Sequence, residues 1–276
     1  MKHHLLIADS GSTKTDWAID GLHIKTQGIN PFHQDEDTIR SILRDELLPN
    51  LPSPLSDIKS IQFYGSGVRP ELQTKMQQLL QEAFPQATHI EAQSDLLGAA
   101  RALCGQKEGI ACILGTGANS CLFDGQQIVM NTPALGYILG DEGSGATLGK
   151  RFLNALYKGR LPQSLKTAFE SELQLSMPQI IDRVYRQPQA NRWLASLSEF
   201  ISKHTNELTI NELITSNFQE FITHNIKPYQ RHDLPISAVG SIAFYYQEQL
   251  KQAAQEEGYS VGLILRSPID ALVQME

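Results

Sequence analysis

The chain has 276 residues, 41% of them hydrophobic and 19% charged, which excludes disorder and suits one large or two medium α/β domains. Its net charge of −7, with no run of five Lys or Arg, excludes nucleic acid and an anionic membrane as expected partners. An anionic substrate would therefore need local donors, because the overall field does not attract it.

Residues 4–9 (HLLIAD) read as a buried strand, followed by a Gly/Ser/Thr turn, a strand at DWAID and a third around HIKTQ. The start, MKHHLLIADSG, has too short an apolar run for a signal peptide, and no stretch of about 18 apolar residues follows that would span a membrane. Ile39, Ile42, Leu43 and Leu47 recur at helical spacing over 35–48. IKSIQFYG is a strand, and PELQTKMQQLLQEAF is a helix with Pro70 in its first turn. THIEA is a short strand, and SDLLGAARALCG a helix capped by Ser94 and closed by Gly105.

The pattern then restarts. GIACILGTGANSCLFDGQQIVMN reads strand, Gly/Thr turn, strand, Asp-Gly turn, strand. Gly11 and Gly117 occupy matching places in the two Gly-rich hairpins, 106 residues apart. The expected architecture is therefore α/β with a duplicated half-molecule, with domains at 1–107 and 108–276 and a helical insertion at about 150–232. PISAVGS is a later strand, IAFYYQEQLKQAAQEEG a helix, YSVGLILRS a last strand and PIDALVQM a last helical turn or two. Strands alternating with helices argue for mostly parallel, helix-flanked sheets. Cys104, Cys112 and Cys121 are odd in number and not in CxxC spacing, so they read as reduced core cysteines of a cytoplasmic protein.

Five segments carry candidate chemistry. Asp9-Ser10-Gly11-Ser12-Thr13-Lys14-Thr15-Asp16 is a turn of small residues whose N–H and hydroxyl groups could hold phosphate, with Asp9 placed to hold Mg²⁺ through water. It reads equally as a solvated hairpin. Leu114-Gly115-Thr116-Gly117-Ala118-Asn119-Ser120 has the same logic. It is not a dinucleotide fingerprint, because position 120 is Ser and a strand follows. Gly140-Asp141-Glu142-Gly143-Ser144-Gly145 sets two acids between glycines before a helix, either to meet a ligand or to cap. A P-loop reading of Gly149-Lys150 fails because Ser144 and Arg151 stand where Gly and Ser/Thr are needed. Asp95 heads a helix at a strand end, where a cleft between two domains would open, and reads also as a plain cap. Gly240 and Ser241 join a strand to a helix, where glycine lets a flat ring or phosphate approach, or lets the elements pack.

DSGSTKTD, LGTGANS, GDEGSG and AVGS, in this order and spacing, resemble the phosphate-1, phosphate-2, sugar-contact and adenosine motifs of the N-acetylglucosamine kinase-like family, also called the BadF/BadG/BcrA/BcrD ATPase family. That family belongs to the sugar kinase/Hsp70/actin superfamily, so the resemblance implies two actin-like ATPase (ribonuclease H-like) domains. It covers nearly the whole chain and rests on helicity alone over 155–230. It implies that Gly11, Ser12, Thr13, Lys14 and Thr15, with Gly115, Thr116 and Gly117, face the phosphates of ATP, and that Asp9 supports Mg²⁺. Asp95 matches the catalytic acid. Asn119 and Asp141, and more weakly Asn30 and Ser66, match sugar contacts, and Gly240 and Ser241 lie near the adenosine. The chain departs from the animal N-acetylglucosamine kinases at Leu135, where those carry Trp.

The activity implied is phosphoryl transfer from ATP to a sugar hydroxyl, O6 of an amino sugar, with N-acetylglucosamine, glucosamine and N-acetylmuramic acid all open. A homodimer is common in the family. Two other readings stand beside it. One is an ATPase that drives electron transfer from a shared iron–sulfur cluster, which needs exposed cysteines. The other is a non-catalytic sugar sensor.

Overall fold

The computed structural model describes residues 4–11, 13–52 and 54–275. They fall into two compact units, 1–106 with 267–276, and 107–266. The last ten residues thus lie with the first unit, whereas the sequence places them in the second half.

The first unit holds β1 (His4–Ser10), β2 (Lys14–Ile19), β3 (Leu22–Gln27), α1 (Glu36–Ser41), β4 (Ile58–Gly65), α2 (Pro70–Ala83), β5 (His89–Ser94) and α3 (Asp95–Cys104). The second holds β6 (Gly109–Leu114), β7 (Ala118–Phe123), β8 (Ile128–Met130), α4 (Gly136–Leu139), α5 (Gly145–Tyr157), α6 (Gln163–Leu173), α7 (Met177–Tyr185), α8 (Ala190–Ser196), α9 (Ser198–Ser202), α10 (Leu208–Phe221), β9 (Ile236–Val239), α11 (Ser241–Tyr245), α12 (Gln247–Glu256) and β10 (Val261–Leu265). The chain then returns to the first unit as α13 (Ile269–Gln274).

Each unit has one five-stranded sheet, in the orders β3-β2-β1-β4-β5 and β8-β7-β6-β9-β10. In both, two antiparallel pairings make a meander and two parallel pairings follow. The repeat in the sequence is therefore a repeat of strand order and direction.

The central strands are apolar on both sides, as parallel strands covered by helices must be. Leu6 and Ala8 of β1 join Trp17, Ile61 and Phe63 in one layer, while Ile7 joins Tyr64, Ala102, Ile269 and Leu272 on the other face. That second face is the one α13 covers. In the second unit Ile110, Cys112 and Leu114 of β6 pack with residues of α5, α10 and α12, and Phe152, Phe169 and Phe200 form a ring cluster with centroids 5.1–5.7 Å apart.

Two expected helices are irregular. The one over 35–48 passes from α1 into a π-helix at Ile42–Leu47 and a 3₁₀ turn. The one after Gly240 divides at Tyr246, a buried residue whose hydroxyl donates to Ser198 O at 2.6 Å. Among the described residues no helix is long and apolar enough to cross a membrane.

Candidate functional site

In the first unit the cross-strand register aligns Ser10, Gly65 and Ser94 at the carboxyl ends of β1, β4 and β5. Ligands bind at such an edge in open α/β sheets. Asp9 precedes Ser10, and Asp95 follows Ser94 as the first residue of α3. Ser94 is the cap, its Oγ accepting the Leu97 N–H at 3.2 Å. Ser94 thus fills the N-cap position, and Asp95 needs only one of its oxygens for the first turn. Its Oδ1 accepts the Leu96 N–H at 2.9 Å, and no hydrogen bond to Oδ2 occurs among the described residues. Burial pushes the Asp95 carboxyl up to about 6, against the pull of its backbone hydrogen bonds. Burial, helped by the charges of Asp95 and Asp16 and opposed by Lys14, pushes Asp9 up to about 7.

Asp9 thus feels two like charges against one lysine that is already paired with Asp16, a surplus of negative charge that a divalent cation would offset. Among the described residues no group of three or more His, Cys, Asp or Glu is arranged to hold a metal. A Mg²⁺ ion, which keeps several waters, needs only one or two carboxylates plus phosphate oxygens, and a single carboxylate such as Asp9 is compatible with that demand.

The phosphate-turn candidate between β1 and β2 is tied down from beneath. Ser10 Oγ and Thr15 Oγ1 are buried and 2.6 Å apart, and both accept the Ile29 N–H, at 2.9 and 3.2 Å. Thr15 Oγ1 also lies 3.1 Å from Gln27 O. Thr15 is fully buried with its hydroxyl committed, while Thr13 and Lys14 are exposed. Gly11 donates its N–H to Lys14 O at 3.0 Å. Ser12 lies outside the described residues. Ser66 donates its N–H to Ser10 O at 2.7 Å, which holds it to the same edge. Asn30 uses Oδ1 to accept the Phe32 and His33 N–H groups, at 3.0 and 3.3 Å, and sits where a side chain on Gly67 (φ +79°) would stand.

In the second unit, Gly115 is the first residue past β6 and donates its N–H to Gly117 O at 3.0 Å. The counterpart of Gly11 is therefore Gly115, not Gly117. The pairs Ser10/Thr15 and Leu114/Ala118 make the first hairpin one residue longer, so matching the two sequences by glycine misaligns them. Neither Gly11 nor Gly115 has a positive φ. An added Cβ would meet nothing within 4 Å at Gly115 and only Lys14 O, at 3.8 Å, at Gly11. By contrast Gly240 has φ +123°, and its Cβ would strike Leu114 O. Gly240 is thus required by strand packing, and Ser241 beside it is exposed at the start of α11.

The GDEGSG loop braces the second hairpin. Gly145 and Ala146, at the start of α5, donate to Gly115 O and Thr116 O at 2.8 and 3.1 Å. Asp141, at φ +56°, accepts the Ala118 N–H with Oδ1 at 3.3 Å, and a Cβ on Gly117 would lie 3.1 Å from its Oδ2. Burial and the adjacent Glu142 push Asp141 up to about 6, opposed by the Ala118 hydrogen bond and by Lys150. Asn119 Oδ1 accepts from Ser120 N–H and Asn131 Nδ2, both at 2.9 Å, so its own Nδ2 remains as a donor.

Sequence reasoning missed the residues that support these loops. Asn217 is fully buried and donates to Ser144 O at 3.4 Å, while its Oδ1 has no partner among the described residues. Asn225 donates to Glu142 Oε2 at 3.4 Å, and its carbonyl accepts the Ser120 and Thr132 hydroxyls at 3.3 and 3.0 Å. Tyr229 Oη lies 2.7 Å from Ser120 Oγ and accepts the Thr132 N–H at 3.1 Å. A signal existed: Asn217 falls on the apolar spacing of Ile210, Ile214, Phe218 and Phe221, where a polar residue needs a reason.

No protein-family model and no curated protein matches the chain. Among solved structures, the chain is similar to the "Putative N-acetylglucosamine Kinase" of Porphyromonas gingivalis, with 46% identity, a TM-score of 0.96 and 98% of both chains covered. The "Putative N-acetylglucosamine Kinase" of Chromobacterium violaceum aligns at 18% identity, TM-score 0.73, over 99% of both chains. A ROK family glucokinase from Streptomyces griseus, solved with glucose and AMPPNP, aligns at 10% identity and TM-score 0.60, over 99% of this chain and 97% of that one. The last two share the fold, an actin-like ATPase fold in each unit. With the first relative covering nearly the full length of both chains, this chain belongs to the N-acetylglucosamine kinase-like family of the sugar kinase/Hsp70/actin superfamily.

Proposed function

We propose that the chain transfers the γ-phosphoryl group of ATP to a hydroxyl, O6, of an amino sugar such as N-acetylglucosamine. The observation that carries this reading is the pair Gly11 and Gly115. Neither backbone strain nor packing calls for glycine at either place. Close approach of phosphate oxygens to the turn does.

The remaining residues take roles that phosphoryl transfer needs: positioning, charge neutralisation and one proton acceptor. Asp95 receives the hydroxyl proton on Oδ2, and a carboxyl held near 6 is ionised at neutral pH yet basic enough to help. The free Nδ2 groups of Asn30 and Asn119, the Ser66 hydroxyl and Asp141 Oδ2 orient the sugar ring. Asp9 would hold Mg²⁺, and that ion would neutralise charge on the phosphates. Thr13 and Lys14, being exposed, are the side chains of the first turn available to a nucleotide, whereas Thr15 holds the turn in shape.

An electron-transfer ATPase would need accessible thiolates for its cluster. Cys112 and Cys121 are fully buried, and burial pushes the Cys104 thiol up to about 11. The kinase reading is tested by coupled ADP release over N-acetylglucosamine, glucosamine, N-acetylmuramic acid and glucose. It expects turnover that needs both Mg²⁺ and an amino sugar. Sugar-independent ATP hydrolysis alone would overturn it.

A further inference from the structure

In the second unit an open pocket of about 210 Å³ is lined by Lys150, Arg151, Asn154, Arg160 and Leu213, which lie outside the proposed catalytic machinery. Lys150, Arg151 and Asn154 come from α5. Arg160 follows the turn at Gly159 (φ +70°), and Leu213 comes from α10.

The three cations are not neutralised alike. Arg151 Nη1 lies 2.6 Å from Glu220 Oε2, and its Nη2 donates to Ser216 Oγ at 2.9 Å. Lys150 and Arg160 instead lean on neutral acceptors: Lys150 Nζ donates to Tyr137 O at 2.8 Å, and Arg160 Nη2 to Asn154 Oδ1 at 2.7 Å. Elsewhere on this acidic chain Arg40, Arg44, Lys203 and Arg231 are paired with carboxylates, while Lys59 and Arg192 also donate to neutral acceptors but do not line this pocket. A neutral acceptor fixes a cation in place without cancelling its charge. The pocket therefore gathers two positioned positive groups with no carboxylate in direct contact among the described residues, a guanidinium fork and an ammonium suited to phosphate oxygens, beside the apolar Leu213.

We propose that the pocket between α5 and α10 binds a phosphate group, free or as a monoester, through Lys150 and Arg160, with Leu213 against the carbon portion of an ester. Its position suits an effector. The first turn of α5 holds the Gly115–Thr116 carbonyls, and Lys150 holds Tyr137 O in the segment leading to Asp141. A ligand that takes Lys150 would loosen that segment. It would also screen the charge that opposes the upward shift of Asp141.

The test is calorimetric titration of the whole chain at low salt, without nucleotide or free sugar, using inorganic phosphate in one arm and glucose 6-phosphate in the other. It is thus independent of the kinase reading. The expected result is saturable binding that weakens at least about tenfold in the Lys150→Gln/Arg160→Gln double variant and is unchanged in Lys14→Ala. Arg160→Gln alone, at an exposed position that folding does not depend on, should still lose about threefold. Tighter binding of glucose 6-phosphate marks an ester as the occupant, and equal binding marks free phosphate. No binding up to about 10 mM, binding unaffected by both the double and the single variant, or binding lost in Lys14→Ala would overturn the proposal.

Discussion

The two Gly-rich hairpins sit at the same point of the same sheet topology, yet different chemistry holds them. The hairpin of the first unit is fastened from beneath by two buried hydroxyls, Ser10 and Thr15, that share the Ile29 amide. That of the second is fastened by the first amides of α5 and by one carboxylate, Asp141. Both arrangements leave a glycine with open space where its Cβ would be, Gly11 and Gly115. The fold thus fixes where the turn lies and that its first residue stays bare, while the fastening is free to vary. What varies has consequences: hydroxyls do not titrate in the working range, whereas a carboxyl pushed up to about 6 does.

Gly240 offers the strongest contrast to those open glycines. Gly240→Ala would force a strained φ and drive Cβ into Leu114 O, so it should lower stability by roughly 3 kcal/mol or more. The change would be seen as a drop in Tm of order 10 °C by calorimetry. An unshifted Tm would mean that β6 and β9 relax more easily than their packing implies.

The fastenings themselves come next. Ser10→Ala removes one of two groups serving the Ile29 amide and should cost about 1–3 kcal/mol in chemical denaturation. Asp141→Asn keeps an oxygen for the Ala118 N–H and should cost well under about 1 kcal/mol, whereas Asp141→Ala should cost about 1 kcal/mol. Equal losses for Asn and Ala would place the role of Asp141 in its charge rather than its hydrogen bond.

The open glycines should separate binding from stability. Gly11→Ala and Gly115→Ala should leave Tm unchanged or raise it slightly, since alanine restricts the unfolded chain. Each should nevertheless weaken Mg-ATP at least about tenfold, about 1.4 kcal/mol. Normal nucleotide affinity in both variants would remove the main support for the phosphate-site reading.

The last effect is on stability against pH. Asp9, Asp95 and Asp141 are raised in the folded state from 3.8 to about 7, 6 and 6. The native chain therefore holds protons that the unfolded chain has released, and stability falls as pH rises from about 4 to about 7. Asp9→Asn should flatten that slope and raise Tm by on the order of a few degrees at pH 8, with no gain near pH 3.5, in a melting series without Mg²⁺.

The strands and the four motifs were legible because they are written locally, as apolar runs ended by Gly, Ser and Thr. What stayed hidden depends on distant partners. The true partner of Gly11 is set by cross-strand pairing, which the letters G-T-G do not encode, so Gly117 looked like the match. That the Thr15 hydroxyl meets Gln27 O and the Ile29 N–H is likewise set by β3 and the chain after it, which the letters of the turn do not show. The break at Tyr246 reflects its bond to Ser198, far away in sequence. The return of 267–276 to the first unit turns on Ile269 and Leu272 meeting Ile7 and Tyr64, which no local pattern announces.

The central claim is that Asp95 is the proton acceptor rather than a helix cap, a duty already filled by Ser94. Asp95→Asn tests it in one comparison of kcat with sugar and Mg-ATP affinity. Asparagine can still accept the Leu96 N–H but cannot take a proton. The variant should fold normally and bind both substrates within about tenfold of the parent. It should lose about 10²-fold or more in kcat, and with that the fall of activity as pH drops through about 6. A variant that keeps more than about a tenth of the parent kcat would contradict the assignment.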